Sequence, residues 1–458
     1  MRHAAKIAFA TALLGSWNAP VQAEITPEAL WGEWQAGTGE ITALAGEISD
    51  AGEGFLVQNA VLKVGRGAGA PTLALTELSL AAEGEATRLD LPATAQANAA
   101  GETYELTLTE MSVLVSGEMT DPDYVVSGQR MGIATDSLPL ASGATAAQVQ
   151  LDNLMLSYLG QSGSAEATEL ALIIDPVGET PGVALTRQGV TAVFEGDPEA
   201  FAVPGSGPYS IVLTTESGTQ DMQIERPDRP GMAVALNSGP TRDEIRSDAQ
   251  DIILRQSYAG LQARFSGPAV PLPDASMTIG ATTIGAQVPA LSRDAAQPFS
   301  LDMALTDVEV SEQLWQLFDP AAALPRDPVQ LSFALSGDAV MNGETPRPER
   351  LTLDDLRLSL LGAEMSAKGG VQFAATPSTE RVFGRPVGGF GVTLTGFNAL
   401  IQNLMALGTI PQQQLFGLQM GLSMFTTEGE GPDTLTSRIE MGPDGTFSLN
   451  GQPMGRVP

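Results

Sequence analysis

Leu351 to Gly362 reads LTLDDLRLSLLG, and the same unit stands 202 residues earlier as VQLDNLMLSYLG, Val149 to Gly160. Seven of the twelve aligned pairs are identical, among them Asp152/Asp354, Ser157/Ser359 and Gly160/Gly362, so this is a repeat and not a shared composition. Looser copies run from Leu73 to Gly84 (LALTELSLAAEG) and from Leu106 to Gly117 (LTLTEMSVLVSG). Phe55 to Val64 (FLVQNAVLKV) and Met303 to Val310 (MALTDVEV) fit its first part. The common pattern is apolar, any, apolar, any, then Asp, Glu or Asn, then apolar, any, apolar. Alternation puts Leu351 and Leu353 on one face of a strand. Leu356, Leu358 and Leu360 alternate too, but in the opposite parity. A strand that keeps one buried face across that switch needs an extra residue near Asp354-Asp355. A β-bulge supplies it and bends the strand there. Two short strands meeting at a turn at the acidic pair account for the pattern equally well. On either reading the chain repeats a β unit, and its acidic residues serve geometry before catalysis.

Around this unit the chain is strand after strand. From Ile41 to about Ile224, turn signals recur at short intervals, as in Gly65 to Pro71, Asp121-Pro122-Asp123 and Gly178 to Gly182. That spacing means antiparallel β structure. Asp197-Pro198-Glu199 and Pro204 to Pro208 are further breaks. Glu225 to Pro230 (ERPDRP) carries the strongest boundary signal, which divides the chain into β-rich halves 24–228 and 229–458. In the second half, Phe299 to Val310 and Val329 to Leu335 read as strands, and the tail RIEMGPDGTFSLNG reads as a hairpin about Pro443-Asp444-Gly445.

Three stretches read as helix. Thr26 to Ala36 (TPEALWGEWQA) has Thr26 as N-cap and Pro27 at the first helical position, with Leu30, Trp31 and Trp34 on one face that docks on a sheet. Ser311 to Phe318 (SEQLWQLF) starts on Ser311 as its cap and ends at Asp319-Pro320. Phe397 to Thr427 carries Phe397, Leu400, Ile401, Leu404 and Leu407 at helical spacing, then Pro411 and a second apolar series. This last region is a helical hairpin whose Met420, Met424 and Phe425 either line a lipid- or partner-facing groove or are ordinary core. The expected fold is therefore mainly β (α+β): elongated, curved antiparallel sheets built from repeated strand motifs, with a short N-terminal helix and a C-terminal helical hairpin packed on the sheet.

Composition bounds the compartment and the chemistry. Arg2, His3 and Lys6, then the apolar Ile7 to Leu14, then Val21-Gln22-Ala23 read as a secretory signal, residues 1–23, cleaved after Ala23. The apolar run is too short to span a bilayer, and no later stretch is long and apolar enough to do so. The expected location is the periplasm. The formal charge of −31 repels a polyanion, which excludes nucleic acid as a partner. There are no cysteines, and cleavage removes the single histidine, His3. A mature chain with neither residue has no Ser-His-Asp or Cys-His catalysis and no ordinary zinc site.

Other candidates for chemistry are weak. Gly65-Arg66-Gly67-Ala68-Gly69 has the wrong spacing for a phosphate loop and a strand where a helix is needed, so it reads as a turn. Ser366 and Lys368 sit at i, i+2 on one strand face, with nothing to supply an oxyanion hole for a serine-lysine dyad. Asp121/Asp123 and Asp354/Asp355 offer oxygen ligands for calcium, but no DxDxDG loop exists. The 54 acidic residues give many carboxylate pairs for glycoside hydrolysis and single out none. No catalytic, cofactor-binding or metal-binding residue is assigned, and no cofactor is implied.

TPEALWGEWQA, the segment SEQLWQLFDPAAALPRDPVQLSFALSGDA (Ser311 to Ala339) and the Asn450-Gly451 hairpin together resemble an alphaproteobacterial family of exported proteins known only as a domain of unknown function. The resemblance covers nearly the whole mature chain and carries over no catalytic residue. The LxLxDLxLxxxG style also resembles the β-repeats of AsmA-type envelope proteins, a group of long curved antiparallel sheets associated with lipid traffic and outer-membrane assembly. The retained N-terminal membrane helix common in that group is missing from this sequence. The repeat, the export signal and the looser resemblance lead to the expectation of a non-enzymatic periplasmic protein with an AsmA-like curved sheet, in envelope maintenance or lipid binding. Its partner would be a lipid or an envelope protein. A structural scaffold for an envelope partner is the alternative, and a carboxylate-based hydrolase stands behind both.

Overall fold

A computed structural model describes residues 25–456 apart from 40, 51–53, 66–69, 100, 141–142, 160–161, 178–179, 197–206, 227–228, 249, 271, 274, 291–292, 321, 341–346, 375–383 and 408–411. Residues 1–23, expected to be a secretory signal, lie outside the described residues.

The chain opens with helix α1 (Pro27–Ala36), then β1 (Ile41–Asp50), β2 (Gly54–Val64), β3 (Thr72–Glu83), β4 (Ala86–Asp90), β5 (Thr94–Ala99), β6 (Glu102–Thr109), β7 (Ser112–Glu118) and β8 (Asp121–Leu140). There follow β9 (Gly143–Leu159), β10 (Ser162–Ile174), β11 (Gly182–Gly196), β12 (Tyr209–Thr215), β13 (Ser217–Arg226), β14 (Arg229–Ser238), β15 (Thr241–Ser247), β16 (Asp251–Ser266), β17 (Ala275–Pro289) and β18 (Gln297–Val310). Helix α2 (Glu312–Phe318) precedes β19 (Val329–Val340), β20 (Arg347–Leu360), β21 (Ala363–Ala374) and β22 (Arg385–Thr395). Helices α3 (Phe397–Leu407) and α4 (Gln412–Phe425), then β23 (Thr427–Glu428), β24 (Thr434–Met441), β25 (Thr446–Leu449) and β26 (Gln452–Arg456), complete it.

All strands join one long, curved antiparallel sheet, and its topology is a meander. β1 pairs with β2 and β2 with β3. β3 then faces β4 and β5 end to end, these face β7 and β6, and both of those face β8. The pattern recurs where β11 faces β12 and β13, which face β15 and β14, which face β16. Each collinear pair is one long row interrupted midway. From β16 to β22 every strand pairs with the next, and β22 then pairs with β24. The boundary expected near residue 228 falls between β13 and β14, which pair with each other from Gly218–Ser238 to Arg226–Arg229. The two halves are thus consecutive segments of one sheet.

The repeat unit explains the curvature. In β2 the buried positions run Phe55, Val57, then Ala60 and Leu62, with Gln58-Asn59 exposed between them. In β3 they run Leu75, then Leu78 and Leu80, with Thr76-Glu77 exposed. The side-chain parity switches, and one face stays buried. Asn59, Glu110, Asn153 and Asp307, the acidic or Asn residues of four repeat copies, adopt φ of 52°, 51°, 50° and 53°. Left-handed φ is uncommon outside glycine and several-fold enriched in Asn and Asp, and Gly189 and Gly260 take the same role in β11 and β16. At Asp354-Asp355 the switch comes from a register shift instead: Leu353 pairs with Leu335 and Asp355 with Ala334, leaving Asp354 as an extra residue. The bulge, and not a turn between separate strands, is what the structure contains.

The helices follow the sequence with two corrections. Thr26 caps α1 through Ala29 N–H at 3.2 Å, and Gly37 ends it. Ser311 precedes α2 but makes no side-chain cap, because its Oγ accepts the Ser276 N–H at 3.2 Å and ties the helix start to β17. The helical region expected to reach Thr427 stops at Phe425, since Thr427 pairs with Thr436 in the sheet. Asp433 accepts the Asn398 and Ala399 N–H groups at 3.0 Å each, satisfying the first turn of α3 from a different segment. The main buried cluster lies at the N-terminal end, where Leu30, Trp31 and Trp34 of α1 cover Val57, Leu78, Leu80 and Leu89.

Candidate functional site

Directly paired residues in a sheet point to the same face, so the register traces rows of side chains across the fold. One row begins with Phe55, Leu80, Leu89, Val113 and Val126. It continues through Leu156, Ala165, Ala192 and Leu213. Asp243 and Gln256 interrupt it, and Ile284, Met303, Phe333, Leu356 and Val392 resume it through Ala367. On the other side of the parity switch a second row runs from Ala60, Leu75 and Ala95 through Ile133, Val149 and Leu172. It passes Leu185, Gln220, Leu236 and Ala263 to Met277 and Val310. The switch makes these two rows share one face. A cavity of about 280 Å³ is lined from both sides of it, by residues of β11, β13, β14, β16 and β17. The apolar face is therefore the inside of a crease, a trough running along the sheet.

The trough is filled at one end and open in the middle. At the N-terminal end α1 seals it, and Leu80 is 0 % exposed. Gly46 has no side chain where Trp31 packs; a Cβ there would lie 3.0 Å from Trp31 Cζ2 and 2.5 Å from Val57 Cγ1. Further along the same face, Leu254, Ile284 and Leu301 are 39 %, 37 % and 42 % exposed. From β10 to β18 the face crosses six inter-strand steps, about 29 Å at the usual spacing.

Polar side chains collar the cavity in this open section. Arg187 Nη1 donates to Ser238 Oγ at 3.2 Å, and its guanidinium carbon lies 5.8 Å from the centre of the Tyr258 ring. Gly218 allows this, since a Cβ there would meet Arg187 Nη1 at 2.6 Å. Burial, and then the neighbouring Asp243, hold the Tyr258 hydroxyl above its usual pKa range. Thr282, 8 % exposed, lines the same cavity with a hydroxyl that has no hydrogen-bond partner. One carboxylate oxygen of Asp243 is likewise buried and without a partner. Sequence reasoning misses this collar. Its one signal lies in Val183-Ala184-Leu185-Thr186-Arg187, where an arginine stands at a position that alternation reserves for an apolar residue.

The acidic residues of the repeat lie along the outer ridge of the crease. Arg130 Nε donates to Asp152 Oδ1 at 2.8 Å, and this bond, with Gln150, holds the Asp152 carboxyl below its usual range. Asn153 Nδ2 donates to Thr168 Oγ1 at 3.0 Å, and Gln330 Nε2 to Asp307 Oδ1 at 3.0 Å. Ser332 donates to Asp355 at 2.9 Å, and that bond chiefly lowers the Asp355 carboxyl. Asp354 and Asp355 thus serve the bulge and its ion pairs. Lys368 Nζ is 3.5 Å from Asp355 Oδ1; Ser366 and Lys368 both line a hollow of about 1200 Å³ on β21, β22, β24 and β25. This hollow is larger than the cavity in the trough, and its lining mixes polar side chains such as Lys368, Thr436, Arg438 and Glu440 with Ala367 and Val392 of the first row. Asp123 stands beside Asp121 at the start of β8, where burial and that neighbour raise its carboxyl. Val64 N–H donates to Pro71 O at 2.9 Å, closing the turn that begins at Gly65; residues 66–69 lie outside the described set. Among the described residues no cluster of three or more His, Cys, Asp or Glu could hold a metal ion, and no helix is long and apolar enough to cross a membrane.

Compared with protein-family models, curated proteins and solved structures, the chain matches none.

Proposed function

We propose that the chain is a non-enzymatic periplasmic protein of envelope maintenance that binds a lipid or similar long apolar ligand along its trough. The supporting observation is the exposure of Leu254, Ile284 and Leu301 on the same face that is sealed beneath α1. Each leaves about 1 kcal/mol of burial unrealised in the free protein, and a bound acyl chain would recover it. The lack of cysteine, and of histidine beyond His3, agrees with binding in place of nucleophilic catalysis. The test is lipid extraction and mass spectrometry on mature protein purified from the periplasm without detergent. An acyl species near one per chain is expected. Protein lacking lipid at a detection limit well below that would refute the reading.

A second reading, a scaffold for an envelope partner, is favoured by one feature. Phe416, Met420 and Met424 form an exposed stripe on α4 at four-residue spacing, and Phe425 adjoins it. Lipid-free protein that captures an envelope protein, with capture lost in Met420→Glu, would support the scaffold over the carrier.

A further inference from the structure

We infer that the collar at Arg187 is the head-group site of the trough, and that the ligand is an amphiphile with an anionic oxygen head. The inference rests on the lipid-binding reading and adds to it the location and charge of the head. A purely apolar ligand has no use for a guanidinium in mid-trough. Arg187 occupies the apolar phase of β11, flanked in its row by Leu170 and Gly218. Among the described residues it makes no ion pair; its contacts are Ser238 and Tyr258. A guanidinium presents five donors in a planar fork that suits carboxylate or phosphate oxygens. Thr282 supplies a further hydroxyl, more than nine-tenths buried and without a partner, in the wall of the same cavity. An unpaired buried hydroxyl costs free energy unless something meets it. An oxyanion lying between Arg187 and Thr282 would satisfy both, and Leu185, Leu236, Leu261 and Ile284 in the same lining would receive the start of the chain. Asp243 also neighbours the Tyr258 hydroxyl and would repel an anion placed beside it, so the anion belongs at the Arg187 guanidinium.

A fatty-acid carboxylate and a phospholipid phosphate share this chemistry, and the experiment separates them. Delipidated mature protein is titrated with oleate, lysophosphatidic acid and uncharged monoolein, by displacement of a fluorescent acyl probe. The wild type should bind at least one of the anions about ten- to a hundredfold more tightly than monoolein, the range expected of charge-assisted hydrogen bonds. The tighter anion identifies the head. Arg187→Met should abolish that preference and leave monoolein affinity unchanged, and Arg187→Lys should restore part of it. Equal wild-type affinity for anions and monoolein overturns the head-group site while leaving the trough reading intact, and needs no variant. Failure of all three ligands to bind overturns both.

Discussion

Asn153→Val tests the central structural claim, that the repeated acidic or Asn position is a left-handed hinge. Asn153 has φ 50°, and its amide donates to Thr168 Oγ1 at 3.0 Å. Left-handed backbone costs an ordinary L-residue about 1–2 kcal/mol, with a β-branched side chain at the upper end. Loss of the amide hydrogen bond adds about 0.5–1.5 kcal/mol. Valine at this position should therefore destabilise by about 2–3 kcal/mol, although valine is a better strand former than asparagine. Asn153→Gly relieves the φ restriction and loses only the same hydrogen bond, so it should cost about 0.5–1.5 kcal/mol, clearly less than the valine. Met155→Val is the control, at an exposed strand position two residues on, and should shift stability by no more than about 0.5 kcal/mol. Urea midpoints at unchanged slope read all three variants. Asn153→Val as stable as Asn153→Gly would refute the reasoning, because the parity switch would then not depend on a left-handed residue.

Three further outcomes rest on single side chains. Trp31→Ala, at a position 2 % exposed beneath the sheet, should cost about 3–5 kcal/mol in urea unfolding; a loss under about 1 kcal/mol would mean α1 is not the seal of the trough. Asp319 accepts the Ala323 and Leu324 N–H groups at 2.9 and 2.8 Å, so Asp319→Ala should destabilise by about 2–4 kcal/mol, whereas Asp319→Asn, which keeps one acceptor, should cost less. The Asp152 carboxyl is held low by Arg130, so its contribution is present above the unfolded value near pH 4 and is lost as pH falls through the lower folded value. The stability gap between wild type and Arg130→Gln should be open at about pH 7 and closed at about pH 2, and a gap of equal size at both pH values would remove the carboxylate from the argument.

The strands and the crease were legible because both are periodic. Leu351, Leu353, Leu356 and Leu358 record the switch in one line of sequence, and its copies along the chain fix a curved sheet. The choice between bulge and turn depends on hydrogen bonding to neighbours, and a single strand carries no record of that. The equivalent positions Gly189 and Gly260 are silent for a related reason: glycine satisfies a left-handed φ without leaving an acidic mark. The collar was illegible for another cause. Arg187, Ser238, Tyr258 and Thr282 come from four different strands, and only the register brings them to one cavity. Ser311 shows the same limit at small scale, since its hydroxyl has a backbone partner 35 residues away that outcompetes the helix cap.

A sheet of one layer with an open apolar trough must also avoid pairing with its own copies, and the chain's charge and edges address that. The first edge strand, β1, shifts register between Ala43 and Ala45 and again between Ala45 and Glu47, which breaks the flat row of groups a second chain would need. The last, β26, is five residues long and contains Pro453. Both are devices that blunt an edge. The charge of −31 is carried largely without counter-ions, and on β9 and β20 its acids face outward beside Arg130, Arg357 and Lys368. Repulsion between outer faces then opposes stacking, while the trough, apolar along the two rows traced except at Gln220, Asp243 and Gln256, with Arg187 in the adjoining row, keeps Leu254, Ile284 and Leu301 partly exposed.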